Sequence, residues 1–429
     1  MSALRNIVAT AALKFSTILF GLLTSVLLAR LMGTSGFGVY AYVIACVTLI
    51  GLPLQAGLPT LITREVAGLN AVDDRKTVTG LVWRALQFLS IISAVVFCIA
   101  LFTSGLQSLP VSAQHRSLFL AGGALIVLAA WTGFFGAALI GSGKLIAGQL
   151  PDAAIRPALF ITFVATLALS GQMEATPSLV LHCAVAAASI AALIAAIRFY
   201  GEFRAQLRSL TPRYETQKWL NSMLPLAFFG VTTTLLTQTD LIILGIFNSA
   251  ATVGVYKVSV VGSMLVAFGL SIVNTVNAPK YAARFTQKDN DGLETLAFDA
   301  ARLATVFAVA LFIVYLVFGA QILTIVFGDE YIGAYSVLII LAAAQLVNCF
   351  TGSVGLILNT TNSEGQAAKS LAVAAILNVA LNLALIPRFG AIGAAIATGI
   401  SLTVSNALMW FSVKTSIGIN ASAWPLIRR

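Results

Sequence analysis

The sequence that decides the fold is VATAALKFSTILFGLLTSVLLARLM, residues 8–32. Its 25 residues carry only two charges, Lys14 and Arg30, and about 20 apolar residues in a helix suffice to cross a bilayer. Similar runs follow along the whole chain and predict about twelve transmembrane helices. The predicted spans are residues 8–32, 38–63, 80–105, 116–141, 153–171, 177–200, 219–247, 254–279, 300–322, 332–358, 367–387 and 390–413.

The composition supports the same fold class. Hydrophobic residues make up 59% of the 429 residues and charged residues 9%, whereas a soluble domain carries about 25% charge. These values exclude a soluble enzyme, a disordered chain and a disulfide-rich secreted protein. They also exclude a transmembrane β-barrel, because its strands alternate apolar and polar residues. We therefore predict an all-α polytopic membrane protein.

The basic residues predict the orientation in the membrane. With the N-terminus in the cytoplasm, about 21 of the 25 Lys and Arg residues fall on the inner side, as the positive-inside rule requires. An even number of spans places the C-terminus inside as well, and Arg428 and Arg429 agree with this. Topology thus accounts for the net charge of +10, and no nucleic-acid partner is predicted.

The chain shows no signs of an enzyme. The predicted outer loops are short, which leaves no external domain for a soluble active site. The four cysteines and two histidines share no metal-ligand spacing. We therefore predict no catalytic residue, no metal and no cofactor.

The chain contains a faint internal repeat. Gly38-Val39-Tyr40 opens the second predicted span, and Gly254-Val255-Tyr256 opens the eighth. Six spans per half is an even number, so the two halves have the same orientation in the membrane. We predict two pseudo-symmetric six-helix bundles that rock in alternating access. The predicted bounds are 1–200 for the N-terminal bundle, 201–218 for a cytoplasmic linker and 219–429 for the C-terminal bundle.

Two segments resemble a known family. LLARLMGTSGFGVYAYVIA (27–45) and TDLIILGIFNSAATVGVYKVS (239–259) are similar to segments of the polysaccharide-export proteins, the Wzx-type O-antigen and oligosaccharide flippases. These belong to the MOP superfamily, which also contains the lipid II flippases and the MATE drug exporters. The motifs mark the superfamily well and the substrate poorly.

This resemblance implies a function and a location. The cargo would be a polyprenyl-diphosphate-linked oligosaccharide, moved from the inner to the outer leaflet of a bacterial cytoplasmic membrane for O-antigen, lipopolysaccharide or other surface polysaccharide biosynthesis. The partners would be this lipid-linked cargo, the bilayer and other glycan-assembly membrane proteins. The sequence does not set an oligomeric state, and a monomer is the default expectation. The alternative is a MATE-type cation-coupled antiporter of drugs or small solutes.

Charged residues inside the spans are candidates for function, because an intramembrane charge is costly. Lys14, Arg30 and Lys257 are the candidates for a cationic cleft that binds the diphosphate, although interfacial anchoring would also explain the first two. Asp240 lies in the seventh span, joined to Lys257 by a short hairpin. The two would form either a structural ion pair or a site where the carboxylate binds a coupling proton or sodium ion.

Uncharged polar residues in the apolar runs are a further group. Most are expected to hold helices together through hydrogen bonds, and some are candidates for lining the cleft and binding sugar hydroxyls. Tyr256 is expected to anchor its helix at the membrane interface, and the alternative is an aromatic platform for a sugar. The candidate cleft residues are Gln55, Gln238, Asn274, Asn277, Asn378 and Asn382.

Overall fold

The computed structural model describes residues 2–55, 57–105, 113–171, 175–361 and 363–423, so Arg428 and Arg429 lie outside the described residues. Within these ranges the structure is helical and contains no strand. The helices are α1 Ser2–Ile50, α2 Leu52–Gln55, α3 Leu58–Ala71, α4 Arg75–Gly105, α5 Ala113–Gly141, α6 Leu145–Leu150, α7 Arg156–Ser170, α8 Pro177–Ser209, α9 Thr216–Phe247, α10 Ala250–Met264, α11 Phe268–Thr286, α12 Asn290–Phe327, α13 Tyr335–Thr351, α14 Val354–Thr360 and α15 Glu364–Ser416.

The number of membrane crossings agrees with the sequence. Nine helices of the described residues are long and apolar enough to cross a membrane, and α10 with α11, bent by 48°, makes a tenth crossing. Two of the nine, in α1 and α15, have 39 and 53 residues, far more than one crossing needs. Each is broken at a glycine with positive φ, Gly33 (63°) and Gly390 (54°). With each broken helix counted as two crossings, the described residues contain twelve, and the protein is an all-α polytopic membrane protein.

Two predicted boundaries differ from the structure. The fifth span was predicted at 153–171, but the apolar helical segment runs over Leu145–Ser170. A π-helical turn at Pro151–Ile155 lies inside it, where the missing N–H of proline disturbs the regular α-helical hydrogen bonds. The predicted linker is mostly helical, because α8 continues to Ser209 and α9 begins at Thr216.

The structure divides into two compact units. The first comprises Met1–Leu27 with Val43–Thr234, and the second comprises Leu28–Tyr42 with Leu235–Arg429. The second unit therefore includes the break in α1 at Gly33. The division into bundles at 200 and 219 stays a prediction.

The first unit is built around aromatic side chains of α5 and α8. Phe199 lies between Phe135, at a centroid distance of 5.0 Å, and Phe203, at 4.9 Å. Phe134 is fully buried and contacts the same ring at 5.4 Å. Tilted and offset rings at these distances are the favourable arrangements, so this aromatic cluster fixes α5 against α8.

The second unit contains a close contact between the two glycine motifs of the repeat. A Cβ added at Gly38 would overlap the carbonyl oxygen of Ala250, and a Cβ added at Gly254 would overlap that of Thr34. The Gly-Val-Tyr segments of α1 and α10 therefore pack backbone to backbone, which only small residues permit in a membrane protein. The repeated motif thus marks a contact between the helices that carry it.

The repeat also appears in two loops that lie 215 residues apart. Asp73 and Lys288 both have positive φ, 55° and 57°, and an aspartate follows each. Asp74 accepts hydrogen bonds from the hydroxyl and the amide of Thr77, and these bonds lower its pKa. Asp289 accepts from the amide of Gly292 at 2.9 Å and from Arg284, and these two bonds likewise lower its pKa. Each aspartate caps the following helix in its ionised form.

The glycine contact gives a testable prediction. Gly38→Ala should destabilise the protein by about 1 to 3 kcal/mol, because the added methyl must push α10 away. Gly21→Ala is the matched control in the same helix, since a Cβ there would meet no atom within 4 Å. Thermal unfolding of the purified variants in detergent measures the difference. Equal melting temperatures for the two variants would contradict this packing.

Candidate functional site

The predicted acid, Asp240, lies in a buried network of hydrogen bonds in the second unit. It is on α9 and only 4% of its surface is exposed. One carboxylate oxygen, Oδ1, accepts from the amide of Leu241 at 2.9 Å. The other, Oδ2, accepts a short bond from the hydroxyl of Tyr256 and a bond of 3.3 Å from Thr398. The carboxylate is therefore held by α9, α10 and α15 together.

Two of the predicted asparagines extend this network along α15. Asn378 donates from Nδ2 to Thr398 at 3.5 Å, and Asn382 donates to Oδ1 of Asn378 at 3.0 Å. Both side chains are buried. The Oδ1 oxygen of Asn382 is also buried and accepts no hydrogen bond among the described residues. Asp240, Thr398, Asn378 and Asn382 thus form a continuous row, which we call the Asp240 network.

The oxygen atoms of the Asp240 network determine which ligands it can bind. Its oxygens come from a carboxylate, a hydroxyl and two amides, which suit a proton or a hard cation. A buried acceptor without a donor, such as that of Asn382, is uncommon in folded proteins. Within the described residues there is no cluster of three or more His, Cys, Asp or Glu side chains.

Two residues of α10 near Asp240, Tyr256 and Lys257, have different surroundings from those predicted. Tyr256 was expected at the membrane interface, but it is fully buried and bonded to Asp240. The prediction of an interfacial anchor was wrong because the carboxylate needs a buried donor. Lys257 is half-buried and, in the described part of the chain, no nitrogen of Lys257 comes within 4.0 Å of a carboxylate oxygen. The hydroxyl of Tyr256, and not the ammonium group of Lys257, is therefore hydrogen-bonded to the carboxylate, while Lys257 interacts with Asp240 electrostatically from a longer distance.

Arg30 has a structural environment of its own. Its Nε donates to the carbonyl of Val326 at 2.9 Å, and its Nη2 donates to the carbonyl of Ile325. These carbonyls belong to the last turn of α12, where backbone acceptors lack partners within the helix. The guanidinium group is exposed and caps the C-terminus of α12, so Arg30 has a structural role in this arrangement.

The other predicted residues are spread over both units. Lys14 is exposed on α1 of the first unit, and Gln55 is half-buried at the end of α2. In the second unit Gln238 is half-buried two residues before Asp240. Asn274 accepts a hydrogen bond from Ser353, and Asn277 is buried one turn further along α11. None of these side chains belongs to the Asp240 network as the described hydrogen bonds define it.

Sequence reasoning missed Thr398 and the role of Tyr256. Thr398 is 158 residues from Asp240 in the sequence, and a threonine in an apolar span carries no distinctive signal. Tyr256 did carry a sequence signal, because it lies 16 residues after Asp240, the only acid in the hairpin of α9 and α10. A buried carboxylate next to a tyrosine across a tight hairpin would have justified pairing them.

The network gives a second prediction. Tyr256→Phe should lower the stability by about 1 to 3 kcal/mol, because it leaves a buried carboxylate without its closest donor. Tyr335→Phe is the control, since that hydroxyl donates to the backbone carbonyl of Leu316 at 3.0 Å rather than to a carboxylate. Unfolding of both variants in the same detergent measures the effect. A Tyr256→Phe variant as stable as Tyr335→Phe would show that the hydroxyl does not support Asp240.

Solved structures share this fold. An inward-facing multidrug resistance MATE family transporter of the MOP superfamily superposes with a TM-score of 0.75 at 15% identity, covering 96% of this chain and 98% of that chain. The lipid II flippase MurJ in an inward closed conformation gives a TM-score of 0.69 at 13% identity, covering 94% and 87%. The predicted likeness to the MATE and MOP fold is thereby confirmed.

Sequence relatives point to the same group. The protein named "Probable low-salt glycan biosynthesis flippase" of Haloferax volcanii is 31% identical over 170 residues, which cover 39% of this chain and 36% of that protein. The matched segment spans about a third of the length of the curated relatives. The sequence profile of the family described as "Polysaccharide biosynthesis protein" matches residues 3–279. The chain therefore belongs to the polysaccharide biosynthesis protein family.

Proposed function

We propose that the protein is a flippase that moves a polyprenyl-diphosphate-linked oligosaccharide from the inner to the outer leaflet of the cytoplasmic membrane by alternating access. The observation that carries the proposal is the family match over residues 3–279. The Haloferax volcanii relative, which is named a glycan biosynthesis flippase, supports it. In this proposal the protein transports its cargo without changing it chemically.

The physical problem of such a cargo is its diphosphate. A diphosphate does not cross about 30 Å of hydrocarbon unaided, because its hydration would be lost without replacement. Cationic side chains replace that hydration with charge-assisted hydrogen bonds. We assign this role first to Lys14, which is exposed, and to Lys257, which forms no ion pair in the described part of the chain. Arg30 would first have to release two backbone carbonyls.

The Asp240 network is proposed as the site of the coupling cation. A proton or a sodium ion bound there would neutralise a carboxylate that is otherwise buried among neutral donors. Sodium favours oxygen ligands, and the network contains the uncommitted amide oxygen of Asn382. The polar residues Gln55, Gln238, Asn274 and Asn277 are assigned to sugar hydroxyls or to helix contacts.

The location and partners follow from the same proposal. The apolar helices make the protein a multi-pass membrane protein, and we propose that both termini are cytoplasmic. The relatives come from an archaeon, so a bacterial host and an O-antigen or lipopolysaccharide product stay predictions. A monomeric state and cooperation with other glycan-assembly membrane proteins are also part of the proposal.

Deletion of the gene in its native host tests the function. We expect one polyprenyl-diphosphate-linked oligosaccharide to accumulate and the matching surface glycan to disappear, as measured by mass spectrometry of the lipid extract. Complementation with Lys14→Ala or Lys257→Ala should restore less than about a tenth of the glycan, because each loses a charge-assisted bond. Lys369→Ala serves as a lysine control from the start of α15.

Unchanged lipids and glycans would contradict the flippase, provided that the host has no second flippase. Altered sensitivity to cationic drugs in the same deletion strain would then favour the antiporter.

The coupling role of Asp240 has its own test. Asp240→Asn should abolish the dependence of transport on a proton or sodium gradient in proteoliposomes, because the amide does not bind the cation as the carboxylate does. Asp291→Asn is the control, since it makes the same acid-to-amide change at an exposed position in the first turn of α12, outside the network. A gradient dependence that survives Asp240→Asn would contradict coupling at this site.

A further inference from the structure

The first unit contains a second site that the sequence did not suggest. A cavity of about 300 Å³ lies between α3, α4 and α9. Its walls are mostly aliphatic and aromatic, and no acid lines it among the described residues. The main apolar contributors are Leu58, Leu61, Leu81, Phe88, Leu220 and Met223. The cavity lies near the start of α4 and of α9, which is the end predicted to face the cytoplasm.

One polar group in this wall has no partner. Trp219 is 4% exposed and lines the cavity. Its indole N–H is buried and has no hydrogen-bond acceptor among the described residues. An indole N–H is a donor only, and a buried donor without an acceptor is costly. An acceptor that a bound molecule brought to Trp219 would remove this cost.

A cationic side chain lies in the same wall as this indole donor. Arg84 also lines the cavity, and its only side-chain hydrogen bond in the described residues goes to Gln87 at 3.0 Å. Its guanidinium lies 4.5 Å from the centre of the Tyr214 ring. This contact orients the cation without neutralising it, because the ring carries no net charge. Arg84 thus keeps its positive charge available at the cavity.

The backbone next to Tyr214 is fixed against α4. The amide of Arg213 donates to the carbonyl of Lys76 at 3.1 Å. A Cβ added at Gly80 would overlap the carbonyl oxygen of Arg213, so the segment before α9 lies directly on α4. The position of Tyr214, and through it the direction of Arg84, is therefore built into the fold.

We propose that this cavity is a loading site for the cargo lipid, in which the first isoprene units enter the apolar space and a phosphate oxygen accepts from Trp219 and Arg84. The proposal rests on the proposed function. A volume of 300 Å³ equals about ten water molecules at about 30 Å³ each. That is room for one or two isoprene units. The cavity would therefore bind only the part of the polyprenyl chain next to the diphosphate.

This combination of features fits a phosphorylated lipid. The walls favour hydrocarbon, and the two polar groups are both donors, one of them cationic, which suits a phosphate oxygen. A neutral lipid would leave Arg84 without a counterion. A free phosphate or sugar phosphate would leave the apolar walls in contact with water.

Photo-cross-linking tests the apolar part of the site. A benzophenone amino acid is placed at Leu220, which lines the cavity, or at Leu224 as control, which is one turn along α9, 74% exposed and not in the wall. The full chain in nanodiscs is then irradiated with radiolabelled polyprenyl diphosphate. We expect at least fivefold more labelled protein from position 220. Equal labelling at both positions would overturn the site.

Binding measurements test the polar part. Trp219→Phe and Arg84→Gln should each weaken polyprenyl diphosphate binding about tenfold, the effect of one charge-assisted hydrogen bond, and leave binding of the uncharged polyprenol unchanged. Trp131→Phe is the matched control, because that indole donates to Ser93 at 3.1 Å and does not line the cavity. Wild-type affinity for the diphosphate in both variants would overturn the proposal.

Two further outcomes separate this inference from the proposed function. Displacement of polyprenyl diphosphate by equimolar phosphatidylglycerol would overturn the loading site, since the cavity would then hold ordinary anionic lipid. If the wild-type protein neither binds polyprenyl diphosphate nor protects the host from accumulating it, the flippase proposal itself fails. If transport in the host is intact but cross-linking and variants show no effect, only the loading site fails.

Discussion

Most of the structure depends on the absence of water from the hydrocarbon core, which obliges each backbone amide of a crossing to bond within its own helix. Changes of direction are therefore confined to short breaks and to the loops between helices. Gly33 and Gly390 break α1 and α15 with single residues in the left-handed region, which a glycine adopts without steric cost. Asp74 and Asp289 satisfy exposed amides where α4 and α12 begin. The same rule explains Arg30, whose guanidinium group satisfies carbonyls at the end of α12.

The same constraint governs the polar side chains. A carboxylate that is 4% exposed in an apolar helix is tolerated only if its oxygens accept hydrogen bonds. Asp240 obtains these bonds from its own helix, from Tyr256 on α10 and from Thr398 on α15. The residues that solve this problem come from three helices, so the carboxylate also ties those helices together. A structural role and a role in cation binding are compatible here, because a carboxylate that already organises its neighbours can also serve as a ligand to a cation.

The sequence predicted the fold class, the number of crossings and the position of Asp240 within a membrane span, because all three depend on local composition. Apolar runs define spans, and a single acid inside such a run stands out without any knowledge of its surroundings. The partners of Asp240 depend on the rotation of α10 and α15 about their axes, which local composition does not set. Tyr256 was therefore placed at the interface and Thr398 was not noticed. The full length of α8 and the π-helical turn at Pro151–Ile155 were not predicted for a similar reason. Polar residues at a helix end resemble a loop in sequence.

The two proposed sites have different chemistry, and this difference matters for transport. Trp219 and Arg84 in the first unit offer donors to an anion, whereas the Asp240 network in the second unit offers oxygens to a cation. A ligand shifts a conformational equilibrium only by its difference in affinity between the states. Because Asp240 is bonded to α9, α10 and α15, any movement among these helices changes the number of donors around the carboxylate. Its affinity for a cation must then differ between the states, and by reciprocity cation binding must favour one arrangement of the helices. The geometry that makes a buried carboxylate tolerable thus also makes its occupancy sensitive to conformation, which is the physical requirement for coupling.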